Sequence, residues 1–132
     1  ALDIAWSCSP IFTKVGVFSG ALWWRGKALD AGYQASDRLM HAKIRASVKV
    51  PDLLFWFQTG TRDEQDDRDQ DGVIDSIQDT LECIAELERK GLRWGESIRY
   101  VEVEDGEHNP ETWSHVLPDF LVWAFGITSS HT

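Results

Sequence analysis

Three short apolar segments alternate with segments of helical periodicity along this chain, and the alternation limits the possible folds more than any other feature. The apolar segments are residues 14–20, 53–60 and 97–106. The first two are short and mostly apolar, as strands buried on both faces of a parallel sheet are, whereas the third alternates and is expected to be less buried. We therefore predict an α/β fold of three layers, with about three parallel strands flanked by helices.

The segments around these strands carry the signals of four helices. They are predicted over residues 1–9, 37–47, 73–90 and from Pro110 onwards. Ser36 is expected to cap the second helix, and Gly91 to end the third. Asn109 is expected to cap the fourth, because Pro110 then takes the first helical position. Helix and strand alternate from end to end, so residues 1–132 are predicted to belong to one domain.

Composition narrows the classes of function. The 132 residues are 42% hydrophobic and include seven Trp, which is enough for a packed core. A net charge of −9 argues against binding to nucleic acid or to an anionic membrane surface. No apolar run is long enough to span a bilayer. Cys8 and Cys83 show no metal-binding spacing and are expected to be buried free thiols. No compartment is indicated.

Polar and aromatic side chains follow each predicted strand, where ligands bind in an open parallel sheet. Ser19, Trp23 and Trp24 come after the first strand, Asp63 after the second and His108 after the third. Because the loops of Asp63 and His108 follow neighbouring strands, their side chains are expected to meet. A carboxylate that holds an imidazole is two thirds of a hydrolytic triad. The alternative is that both residues serve the structure of their loops.

Three blocks of the sequence resemble a known family. The blocks are KVGVFSGALWW, FWFQTGTRDE and DGEHNPETWSHVLPDFLVWAFG. They look like the closing part of esterases related to esterase D and enterochelin esterase, which are α/β-hydrolases with a Ser–Asp–His triad. The resemblance covers the chain from Ala1 to about Gly126 and three separate blocks carry it.

The resemblance implies roles for individual residues. The family's acid lies in a Gly-x-x-Asp turn, which Gly60 to Asp63 match, and its histidine lies in a Gly-x-His turn, which Gly106 to His108 match. These two residues would be catalytic in the hydrolysis of a small-molecule carboxylic ester. Trp23 and Trp24 would line the acyl or alcohol pocket, or would simply cover the edge of the core. No organic cofactor is implied.

The sequence departs from the family in lacking the Gly-x-Ser-x-Gly elbow that carries the nucleophile. Ser19 has glycine neighbours at the wrong spacing and is interpreted as a substrate-pocket wall or turn residue. We therefore expect the chain to be the C-terminal portion of an α/β-hydrolase domain that lacks the half carrying the nucleophile. On its own, such a chain is expected to be inactive. Such a chain is expected to form a homo-oligomer or to associate with that half. The alternative function is a non-catalytic, calcium-stabilised module that self-associates or binds a partner.

An acidic stretch has its own signal. Between residues 61 and 80 the chain carries eight acidic residues and two arginines, a net of −6. Within it, carboxylates and a carbonyl recur as in a calcium loop, with Gly72 at the sixth position. The expected Ca²⁺ ligands are Asp67, Asp69, Asp71, the Val73 carbonyl and Asp75. Gln78 replaces the usual final glutamate, for which Asp79 is a candidate substitute. The alternative is a solvated loop whose acids favour the start of the following helix.

Overall fold

Helices and strands alternate along the chain as predicted. The computed structural model describes residues 1–8, 11–27 and 31–126. The elements are α1 (Leu2–Ser7), β1 (Lys14–Phe18), α2 (Leu39–Ala46), β2 (Leu54–Arg62), α3 (Asp75–Arg89), β3 (Ile98–Glu107) and α4 (Pro110–Phe125), with a 3₁₀ turn at Ala35–Asp37 before α2. The predicted end of the first helix, at residue 9, lies outside the described residues.

The three strands form one parallel sheet in the order β1–β2–β3. Lys14 pairs with Leu54 at the start of β1, and Phe55 pairs with Ile98 at the start of β3. The central strand β2 is buried along most of its length, whereas in β3 only Ile98 and Gly106 are buried. The predicted α/β fold with three parallel strands is thus confirmed.

Helices cover both faces of the sheet because successive side chains of β2 point to opposite faces. On one face, Phe55 and Phe57 stack with ring centroids 6.3 Å apart and join a core that includes Leu2 and Ile84. On the other face, the fully buried Trp56 packs against α4 through Phe120 and Trp123; those ring centroids lie 5.6 and 5.8 Å away. A three-layer arrangement follows.

Two local predictions were wrong. Ser36 does not cap the second helix, since it lies in the 3₁₀ turn and α2 begins at Leu39 after an extended Arg38 without a side-chain cap. The physical reason is that the side chain of Arg38 turns inward to a distant carboxylate. Cys8 is exposed, because it follows the last turn of a helix of only six residues, whereas Cys83 is buried as expected.

Two other helix boundaries were predicted correctly. The side chain of Asn109 accepts a hydrogen bond of 2.9 Å from Thr112 N–H and so caps α4, with Pro110 in the first turn. After α3, Gly91 adopts a left-handed backbone with φ of +96°, which favours glycine. None of the helices in the described ranges has the length and apolar character needed to cross a membrane.

A buried ionic cluster joins α2, the acidic loop and α3. Asp79, 1% exposed, accepts a 2.7 Å hydrogen bond from Arg38 Nη1 and a second, of 3.2 Å, from Arg68 Nη1. Its backbone carbonyl lies 2.7 Å from His41 Nε2, which therefore carries the proton. Burial, together with the nearby charge of Arg38, lowers the pKa of His41. The pKa of Arg38 rises despite its burial, because hydrogen bonds to Asp79 and Glu82 outweigh it.

The Asp79→Asn substitution is expected to destabilise the protein strongly. It leaves two largely buried guanidinium groups without their shared counter-charge, and breaking a buried ion pair in this way costs about 3 kcal/mol or more. The matched control is Asp119→Asn on the exposed face of α4, with an expected change within about 0.5 kcal/mol. Urea denaturation measures both. Equal stabilities for the two variants would contradict the structural role of the cluster.

The outer edge of β1 predicts self-association. Among the described residues β1 pairs only with β2, and Lys14 is the only charged residue of this strand. An apolar strand with unpaired N–H and C=O groups is a template for another strand. Light scattering at micromolar concentration is expected to give twice the 15.0 kDa chain mass, as for a two-fold dimer. A concentration-independent monomer mass would disprove this prediction.

Candidate active site

The three parallel strands bring Ser19, Asp63 and His108 to the same edge of the sheet. Each residue follows directly on the carboxyl end of its strand, and the strands of Asp63 and His108 are neighbours. This is the edge at which ligands bind in open parallel sheets. The sequence-based choice of these loops as the place of the chemistry is consistent with this arrangement.

An irregularity at the end of β3 sets the position of His108. Between Gly60 and Arg62 the pairing of β2 slips against β3, so that β3 contains extra residues. Asp105 lies in this bulge with φ of +60°, and its N–H donates a 2.7 Å hydrogen bond to Thr61 Oγ1. A bulge bends a strand and changes the direction of the side chains that follow it. His108 comes after this bend and immediately before the cap of α4.

Asp63 is held against the end of β3. Its Oδ2 accepts a 3.0 Å hydrogen bond from Gly60 N–H, and its buried Oδ1 has no hydrogen-bond partner among the described residues. A Cβ at Gly60 would lie 2.8 Å from Asp63 Oδ1 and 2.3 Å from Gly106 O. Glycine is therefore needed at position 60, and the carboxylate lies close to the backbone two residues before His108.

Asp63 and His108 are near each other along the sheet edge but are not joined. Within the described part of the chain no hydrogen bond links the carboxylate to the imidazole, and His108 is exposed. The imidazole instead packs edge to face with Trp113, at a centroid distance of 5.1 Å and an interplanar angle of 78°.

His108 borders a cavity of about 760 Å³. The same cavity is lined by Ser19, Trp24 and Trp113, and by the apolar side chains of Leu2, Leu22, Leu39 and Met40. Its volume lies in the range of small-molecule sites, and a largely apolar lining with a few polar groups is typical of them. Two of the three residues predicted to contact substrate, Ser19 and Trp24, thus share a cavity with the predicted catalytic histidine.

Ser19 has a strained backbone and a fully used hydroxyl. The residue is 5% exposed, and its φ of +50° lies in the left-handed region, which costs a non-glycine residue about 1 kcal/mol or more. Its Oγ accepts a 3.0 Å hydrogen bond from Trp113 Nε1–H and donates to Gln58 Oε1 at 3.5 Å. These contacts agree with the interpretation of Ser19 as a turn and wall residue.

Trp23 lies apart from this cavity. Its ring stacks on Trp24 at 5.7 Å, and it borders a second cavity of about 620 Å³ beside the acidic loop. Glu64 lines this second cavity, and burial raises the pKa of Glu64 despite a backbone hydrogen bond from Ser76. The two stacked rings jointly line a further cavity of about 320 Å³, and only Trp24 also borders the cavity beside His108, so their assignment to one substrate pocket stays a prediction.

The predicted calcium ligands make hydrogen bonds within their own loop. Asp67 accepts from the N–H groups of Asp71 and Gly72, at 3.2 and 2.8 Å. Asp75 accepts from Arg68 N–H at 3.0 Å. In the described ranges no group of three or more His, Cys, Asp or Glu side chains is arranged to hold a metal. Calcium binding thus stays a prediction.

The other residues considered as calcium ligands differ in how accessible their oxygen atoms are. Asp69 is exposed and accepts a hydrogen bond from the Gln78 amide, and Val73 donates its N–H to Asp71 at 3.0 Å, which leaves its carbonyl as the predicted ligand. Asp79 is buried between two arginines, so in this arrangement it is not open to replace the missing final glutamate.

Comparison with protein-family models, with curated proteins and with solved structures finds no match for this chain. The resemblance to α/β-hydrolase esterases therefore stays an interpretation of the sequence blocks.

Sequence reasoning missed Trp113 as a neighbour of His108, having placed it only on the apolar face of α4. Its position in the first turn of that helix, five residues after His108, is the signal that would have found it.

Calcium is expected to raise the melting temperature of the protein. The loop concentrates negative charge, and a cation that binds only the folded state stabilises that state. Thermal melts in chelator-treated buffer, with and without millimolar CaCl₂, measure the shift. Asp69→Asn combined with Asp71→Asn should remove it, whereas Asp119→Asn should leave it unchanged. An unchanged melting temperature in calcium would contradict the predicted calcium site.

Proposed function

We propose that Asp63 and His108 are the acid and the histidine of a serine-esterase triad, and that the protein hydrolyses a small carboxylic ester. The observation that carries the proposal is the buried Asp63 Oδ1, which has no hydrogen-bond partner among the described residues and lies beside the backbone leading to His108. A buried polar atom without a partner is costly, and such atoms call for an explanation. The N–H of an imidazole is a suitable donor.

In the proposed reaction His108 is the general base. It takes the proton of a serine hydroxyl as the oxygen attacks the ester carbonyl, and it gives that proton to the departing alkoxide, which leaves an acyl-serine. It then takes a proton from the water that attacks the acyl-serine and returns it to the serine oxygen as the carboxylic acid leaves. Asp63 accepts a hydrogen bond from the other imidazole nitrogen, orients the ring and stabilises its cation. Catalytic hydrogen bonds often tighten only when substrate binds, so the open geometry of the pair is compatible with these roles.

The nucleophile is proposed to come from outside these 132 residues. No Gly-x-Ser-x-Gly segment occurs among them, and the hydroxyl of Ser19 is already bonded to Trp113 and Gln58. The order β1–β2–β3 of parallel strands, with the acid after the second and the histidine after the third, agrees with the last three strands of an α/β-hydrolase. This finer architecture is part of the proposal.

The substrate is proposed to carry an uncharged, apolar acyl or alcohol group. This follows from the lining of the 760 Å³ cavity beside His108, where Leu22, Met40 and Trp24 supply apolar surface. The competing function is a non-catalytic module that pairs with another chain through β1. The unpaired outer edge of β1 in the described structure favours that alternative.

Substitutions in the intact protein test the catalytic assignment. His108→Ala and Asp63→Asn are each expected to lower kcat for p-nitrophenyl esters by about 10³-fold or more, because loss of a triad member removes the base or its orientation. The matched controls are His115→Ala and Asp119→Asn, which alter exposed residues of α4 and should leave kcat unchanged. A fully active His108→Ala enzyme would refute the proposed function.

A further inference from the structure

A chain of contacts runs from the buried end of β1 to the exposed His108. Ser19 Oγ lies 3.0 Å from Trp113 Nε1, and the indole ring of Trp113 packs at 78° to the imidazole of His108 with a centroid distance of 5.1 Å. Ser19 is itself anchored in β2, since its N–H donates to Gln58 O at 2.8 Å. Ser19 and Trp113, which are 94 positions apart in the sequence, are thus in direct contact, and Trp113 in turn contacts His108, the proposed base.

The indole of Trp113 is only partly buried. Its ring borders the 760 Å³ cavity and also a separate cavity of about 290 Å³, which is formed with Phe18, Pro110 and Leu117. A ring with open space beside it is not fixed by close packing, which normally locks core side chains. The hydrogen bond from Nε1 to Ser19, together with the edge-to-face contact with His108, therefore orients the ring.

We propose that Ser19 is a positioning residue for His108. By accepting the hydrogen bond from Trp113 Nε1–H, its hydroxyl fixes the indole against which the imidazole packs, and so limits the orientations of an otherwise exposed histidine. This inference rests on the proposed function of His108 as general base. This role accounts for the strained backbone of Ser19, since residues held in sparsely populated conformations cluster at functional sites.

The geometry explains why a serine is suited to this position. The side chain has to accept from Trp113 and donate to Gln58 Oε1 at the same time, and a hydroxyl does both with one atom. Alanine keeps the Cβ and removes both hydrogen bonds. On the partner side, Trp113→Phe keeps an aromatic ring beside His108 but removes the N–H donor.

The test combines histidine NMR with kinetics on the intact protein. The variants are Ser19→Ala, Trp113→Phe and the double variant; Trp123→Phe, in the same helix but packed on Trp56, is the control. Ser19→Ala and Trp113→Phe are each expected to move the ring-proton resonances of His108, identified by their loss in His108→Gln. Ser19→Ala should also lower kcat for p-nitrophenyl esters by about 10-fold with KM unchanged, because misplacement of a catalytic group slows the chemical step.

The double variant tells a shared interaction from two separate ones. If Ser19 acts through Trp113, the double variant should show the kcat and the His108 resonances of Trp113→Phe alone, since contacting residues are not additive. Unmoved His108 resonances and an unchanged kcat in Ser19→Ala would overturn the positioning role while His108→Gln still abolishes activity. If Ser19→Ala moves the His108 resonances but the His108→Gln variant keeps full activity, the proposed function is overturned, and with it the catalytic meaning of the contact.

Discussion

The burial of β2 is the constraint on which the rest of the structure depends. Residues 55–60 of this strand are all buried, so both faces need a cover and both edges need a partner strand. Its backbone groups are paired by β1 on one side and β3 on the other, as buried N–H and C=O groups require. Since all three strands are parallel, their carboxyl ends meet at one edge and the loops that follow them become neighbours.

The geometry of the candidate site follows from the edge of the sheet at which the carboxyl ends of the strands meet. At Gly60, near the end of β2, an added side chain would collide with both Asp63 Oδ1 and the carbonyl of Gly106, so glycine lets the carboxylate lie beside β3. The bulge of β3 at Asp105 then changes the course of the chain just before His108. Acid and histidine are thus brought to adjacent loops by the sheet, and their final approach depends on one exposed side chain.

The strands were predictable because apolar runs and helical periodicity are local signals. The same holds for the cap at Asn109, which needs only the residues that follow it. Ser36 failed as a cap because Arg38 serves a contact with Asp79, 41 residues away in the sequence. A local pattern carries no information on such a partner.

Within the candidate site, the type of residue was easier to predict than its surroundings. Asp63 and His108 follow directly from their places after neighbouring strands. The contact of Trp113 with Ser19 depends on where the side chains of two distant elements turn. Neither hydropathy nor spacing records those directions.

The central claim is that Asp63 and His108 act together on a serine nucleophile. A crystal structure of the intact protein after reaction with a serine-directed phosphonate tests it most directly. We expect a phosphonylated serine with His108 Nε2 within about 2.6–3.2 Å of the adduct or serine oxygen, and Asp63 Oδ1 accepting from the other imidazole nitrogen. An unmodified protein, or an adduct with His108 still directed to solvent and Asp63 Oδ1 unpaired, would contradict it.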